Sequence, residues 1–95
     1  MNYYAEASVS CRVEEPEGAL LFHPGNEALR IINPIGLMIW NKLNEPVSLE
    51  QVTDRLLADG LDVEPAALTR DIREFLEDLI EAGMVLICTK DPSDG

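Results

Sequence analysis

The residues of this chain with chemistry to offer are one histidine, two cysteines and eighteen carboxylates. His23 precedes Pro24-Gly25, which places it in a hairpin turn with no nucleophile and acid patterned around it for a triad. It reads as a surface or packing histidine. Cys11 and Cys88 stand far apart, and no CxxC occurs. A tetrahedral zinc site, an iron–sulfur cluster and a redox dithiol therefore lack ligands. The two cysteines read as reduced, half-buried thiols, with a terminus-linking disulfide as the alternative. The carboxylates cluster as Glu50 and Asp54, then Glu74, Glu77, Asp78 and Glu81, at spacings that make solvated helix faces. No pair sits between apolar neighbours that would raise a carboxyl pKa. Gly18, Gly25, Gly36, Gly60 and Gly83 are too scattered for a phosphate loop. The expectation is a protein that is not an enzyme and uses no metal or cofactor.

Composition narrows the partners. Seven bases against eighteen acids leave a net charge of −11 on 95 residues. Duplex DNA and RNA are poor partners for such a surface, since affinity there comes largely from Lys and Arg on phosphates. An anionic membrane surface is disfavoured for the same reason. The apolar fraction is 46%, too high for a disordered chain, and no apolar run is long enough to span a bilayer. Residues 1–95 read as one domain, with a core over about 8–88 and a polar tail over 89–95. Met1-Asn2-Tyr3-Tyr4 is no signal peptide, so a cytoplasmic protein is expected.

The elements that position these residues follow from period. Val9, Cys11 and Val13 alternate with polar neighbours as in a half-buried strand. Glu15-Pro16-Glu17-Gly18 is a turn, Ala19–His23 a second strand, Pro24-Gly25-Asn26-Glu27 a turn, and Ala28–Ile32 a third strand. The period then becomes helical. Asn33-Pro34 reads as an N-cap with Pro at the first helical position, followed by the stripe Ile35, Met38, Ile39 and Leu43. Ser48 and Gln51 form a capping box for a second helix, with Gly60 just past its end. Pro65 opens a third helix with the core stripe Leu68, Ile72, Phe75, Leu76 and Leu79, stopped by Gly83. Met84–Cys88 is available as a closing strand. The fold class is α+β: a small winged helix-turn-helix-like domain, a three-stranded antiparallel sheet followed by three helices.

Binding is the chemistry that remains. On a 100° helical wheel with Leu68 at zero, Leu76 lies near 80°, Thr69 near 100°, Ile80 near 120° and Arg73 near 140°. That flank is apolar with one guanidinium, whereas the other carries Asp71, Asp78 and Ala82. It is either a stripe broadened by the packed sheet or one wall of a groove. The third strand would be the other wall. At a sheet edge its unpaired N–H and C=O groups accept an extended peptide, unless Arg30 or the C-terminal segment protects them.

Three stretches carry a family resemblance: Glu17–Leu21, Ile31–Trp40 with its Ile-Asn-Pro and Ile-Trp, and Val47–Val52 with its Ser cap. With Asp71–Val85, which holds Asp-Ile-x-x-Phe-Leu-x-x-Leu before Gly83, the ordered set resembles the pyrroloquinoline quinone biosynthesis protein D (PqqD) family. The resemblance implies a recognition element for ribosomally synthesised, post-translationally modified peptides. Such a domain is winged-helix-like without binding DNA, and holds the leader of a precursor peptide as an added strand. A modifying enzyme, often a radical S-adenosylmethionine protein, then acts on the tethered peptide. Carried over, the peptide-binding residues would be Ala28, Leu29, Arg30, Ile31 and Ile32 on the strand, and Thr69, Arg73, Leu76 and Ile80 on the helix. An acidic leader would depend on Arg30 and Arg73; a leader rich in Lys or Arg is equally compatible.

The competing readings are a winged-helix transcription factor, a metal protein or enzyme, and a dimerisation subunit using the edge strand. Residues 62–83 carry two bases against seven acids, which repels phosphate from the helix a DNA reader would use. A monomer and a homodimer both remain compatible with the sequence.

Overall fold

The computed structural model describes residues 1–88; the polar tail read at 89–95 lies outside them. The chain runs β1 (Asn2–Ala5), β2 (Ser10–Glu14), β3 (Gly18–Phe22), β4 (Leu29–Ile32), α1 (Pro34–Trp40), α2 (Leu49–Ala58), α3 (Pro65–Glu81) and β5 (Val85–Cys88). No helix among the described residues is long and apolar enough to cross a membrane.

All three helices begin, and α2 and α3 also end, where the sequence signals them. The Asn33 side chain accepts the Gly36 amide at 2.7 Å, capping α1. Ser48 and Gln51 exchange side-chain and backbone bonds in the expected capping box of α2. Gly60 and Gly83 take positive φ of 96° and 76° and close both longer helices. At α2 Leu61 N–H donates to the Leu56 carbonyl and Gly60 N–H to the Leu57 carbonyl, and at α3 Met84 N–H donates to the Leu79 carbonyl and Gly83 N–H to the Ile80 carbonyl, the paired bonds of a Schellman end. α1 is shorter than the apolar stripe suggests. It stops at Trp40; Leu43 is buried in the following turns, and Ile35, read as core, is 41% exposed.

The strands form two sheets. β2, β3 and β4 make the expected antiparallel meander, with Leu21 opposite Cys11 and Arg30. β2 departs from expectation, because every one of its residues is exposed. It projects past the helices as a wing, so its alternation has no core to face.

The second sheet was not legible. β1 pairs antiparallel with β5, with Tyr3 opposite Ile87 and Ala5 opposite Val85. Asn2–Ala5, ahead of the core read at about 8–88, therefore takes part in the sheet structure. Tyr3 also exchanges both backbone bonds with Val47 (2.7 and 3.0 Å), and Ala5 N–H donates to the Leu43 carbonyl. β1 thus ties the α1–α2 connection to the chain's C-terminal strand. The closing strand pairs with β1 and leaves the three-stranded sheet uncovered.

Leu21, Leu43, Val52, Leu56, Ile72, Leu76, Leu79 and Met84 form the centre of the core, each no more than 1% exposed. α1 lies across β3 and β4, and α2 packs along α3. Two contacts place the β3–β4 hairpin on α3. Asn26 Nδ2 donates to the Ala82 carbonyl at 2.8 Å, and Arg30 Nε meets Asp78 Oδ2 at 3.3 Å.

Gly18 sets how closely β3 approaches the β4–α1 junction. A Cβ there would lie 1.9 Å from the Ile32 carbonyl oxygen and 2.8 Å from the Asn33 carbonyl carbon, at a backbone φ of 117°. Both neighbours are backbone and cannot step aside. Gly18→Ala is expected to destabilise the fold by about 2–4 kcal/mol in urea unfolding. A loss under about 1 kcal/mol, the range of an ordinary surface change, would mean that the junction is not closely packed.

Candidate functional site

The site is built from one strand edge and one helix flank. β4 is the last strand of its sheet, so its side away from β3 is unpaired among the described residues. The pairing parity fixes which of its backbone groups face outward. His23 N–H donates to the Ala28 carbonyl at 2.9 Å, making His23 and Ala28 a hydrogen-bonded pair. Bonded and non-bonded pairs alternate along an antiparallel ladder. Arg30 and Ile32 therefore bond back to β3, whereas Leu29 and Ile31 turn N–H and C=O toward the free edge.

The side chains split the other way. Leu29 and Ile31 stand on the open face of the sheet at 51% and 84% exposure, beside Phe22. Ile32 is buried on the helix side, and Arg30 reaches over that side to Asp78. Arg30 Nη1 also donates to the Leu29 carbonyl at 3.0 Å, covering one of the outward acceptors with its own side chain.

The helix flank facing β4 is not the one the wheel selected. Asp78 meets Arg30, and Phe75 packs against Gly36 and thus against the start of α1. Thr69 lies on the opposite side: its hydroxyl stands 3.3 Å from that of Thr53 on α2 and donates to the Pro65 carbonyl at 2.9 Å. Asp78 and Thr69 are about 180° apart on the wheel. Leu76 is 1% exposed and belongs to the core. Ile80 packs partly buried against that core, and Arg73 is exposed and shares the Thr69 side. Thr69, Arg73, Leu76 and Ile80 therefore do not form a wall beside β4. The flank is apolar because α2 and the core cover it. Glu74 and Asp78, expected on a solvated face, and Asp71 of the acidic flank line the β4 side.

Between α1 and α3, at the C-terminal end of β4, an open cleft of about 410 Å³ is lined by Asn33, Ile35, Gly36, Ile39, Asp71, Glu74 and Phe75. Its depth depends on Gly36, where a Cβ would come within 2.9 Å of the Phe75 ring and 3.1 Å of Ile32. A second hollow of about 290 Å³ under Pro16, Leu37 and Met38 lies on the other side of α1 and touches no residue of β4.

Reactive groups lie outside this site. His23 Nδ1 accepts the Gly25 amide at 3.0 Å, and its Nε2 stands 3.8 Å from Glu6. The Glu6 carboxyl is held below its usual range by hydrogen bonds from the Ser8 hydroxyl and amide. Cys11 and Cys88 lie in different sheets and are both thiols. Partial desolvation pushes the Cys11 thiol above its ordinary pKa, the direction that disfavours a thiolate. Among the described residues no group of three or more His, Cys, Asp or Glu is placed to hold a metal ion.

Three solved chains share this fold. The structure of TbiB1 in complex with the TbiA(beta) leader peptide superposes with a TM-score of 0.76 at 22% identity, covering 92% of this chain and 99% of that one. A lasso peptide synthetase B1 complexed with the leader peptide gives 0.73 at 22% identity, over 92% and 100%. No curated protein matches the chain by sequence. The family model for coenzyme PQQ synthesis protein D matches residues 18–85, a span that takes in β3, β4, all three helices and the start of β5. This chain belongs to the PqqD family.

Proposed function

We propose that this chain binds the leader segment of a ribosomally made precursor peptide as a strand added to β4, and presents it to a modifying enzyme. The observation that carries this reading is the unpaired edge of β4, to which Leu29 and Ile31 turn their N–H and C=O groups, with the α1–α3 cleft at the strand's C-terminal end. Membership of the PqqD family and a fold shared with two leader-peptide complexes support it.

Main-chain bonds to Leu29 and Ile31 supply affinity without regard to sequence, and the cleft selects side chains. Arg30 holds the Leu29 carbonyl until a strand arrives, which keeps the empty edge from pairing with other chains. The chain then acts without catalysing anything. Holding leader and enzyme together raises the local substrate concentration to about millimolar. A radical S-adenosylmethionine protein is the enzyme the family suggests, and the cytoplasm is the compartment in which both would meet.

The test is calorimetry with the short peptides encoded by the reading frames that neighbour this chain's gene, a binding one serving as the precursor. Ile31→Pro removes an outward N–H and is expected to weaken binding at least about tenfold, with the circular dichroism spectrum unchanged. Arg73→Glu, on the flank away from β4, is expected to leave affinity within about twofold. Equal affinity for Ile31→Pro and the unmodified chain would remove strand addition. Gel filtration across a dilution series tests the competing use of the edge: concentration-dependent elution without peptide would favour a homodimer.

A further inference from the structure

Strand addition at β4 imposes a period on its occupant. Whatever direction the added strand runs, its side chains alternate between the two faces of the sheet. Residues opposite Leu29 and Ile31 fall on the open face, among the exposed side chains of Leu29, Ile31 and Phe22, where a hollow beside Ile31 also meets Glu17 and Glu14, the latter paired with Arg12. Residues opposite Arg30 and Ile32 fall on the helix face, toward α3.

The helix face has two parts. Near Arg30 it meets Asp78, already paired with that guanidinium. Near Ile32 it meets the α1–α3 cleft. The floor there is apolar, made of Ile39 and Phe75 beside Ile35, while Asp71 and Glu74 stand on the α3 side. Asp71 has only a 3.9 Å contact with the exposed Arg70, and Glu74 has no cationic partner among the described residues. An apolar floor under unneutralised carboxylates fits a side chain with an aliphatic stem and a cationic head. Asp71 and Glu74 are both exposed, and an acidic side chain placed there would stand beside two like charges.

We infer that the leader segment bound at β4 carries Lys or Arg on its helix-facing side, seated in the α1–α3 cleft against Asp71 and Glu74, alternating with apolar residues on its open face. The inference rests on the strand-addition reading above and settles which leader chemistry the site takes. It disfavours an acidic leader, which would depend on Arg30 and Arg73: Arg30 is engaged by Asp78, and Arg73 lies on the far flank.

The probes are three labelled twelve-residue peptides in which Val alternates with Lys, with Ser or with Glu, read by fluorescence anisotropy against the full chain. The encoded precursor serves as the reference ligand. The Lys peptide is expected to bind at least about tenfold tighter than the Ser peptide, to weaken as salt rises, and to exceed the Glu peptide further. Asp71→Asn with Glu74→Gln is expected to erase the Lys preference. Glu50→Gln with Asp54→Asn, an equal charge change on the exposed face of α2, is expected to retain it. That control separates the cleft from the general attraction of an acidic protein. Glu and Lys peptides binding alike, or a preference lost equally in both double variants, would overturn the inference. If the precursor binds and none of the three peptides does, the charge rule fails while strand addition stands. If the precursor does not bind either, strand addition itself fails.

Discussion

The rotation of α3 about its own axis is the constraint on which the site depends. Ile72, Leu76 and Leu79 are each no more than 1% exposed, and Leu68 only 4%. Burying side chains of this size contributes about 2 kcal/mol each, and turning the helix would trade them for carboxylates at a cost of several kcal/mol per charge. With that stripe fixed, Thr69 must meet α2 and Asp78 must meet β4. The charge beside the open strand is thus a consequence of core packing.

The same packing keeps β4 at the margin. Asn26 and Arg30 fasten the hairpin to α3, and Gly18 and Gly36 let β3 and α1 close on the β4–α1 junction. β5, the strand that follows the helices among the described residues, is drawn off by β1. What remains is an edge with one side chain covering one carbonyl. The domain holds that edge rigidly while leaving its pairing capacity unspent, which suits a strand-binding function and lowers the ordering cost on association.

Much of this was legible in the sequence because its signals are local. Asn33-Pro34, Ser48 with Gln51, Gly60 and Gly83 each specify a helix end through bonds within a few residues, and the structure forms all of them. β4 and its neighbours followed from turn residues and short apolar runs. The site's second wall was not legible. A helical wheel gives relative angles on α3 but not which flank meets which neighbour, and an apolar flank is as readily covered by α2 as open to a ligand. β1 has no local signal because its partners, Val47 and residues 85–88, are remote in sequence. Asn26 and Gly36 carried no local signal of their contacts with Ala82 and Phe75.

Strand addition at β4 makes a residue-level demand that hydrogen exchange reads directly. On adding the precursor peptide, the amides of Leu29 and Ile31 should gain protection, while those of Arg30 and Ile32, already bonded to β3, change little. Protection confined to the outer edge of β2, or absent from both outward amides of β4, would contradict the account.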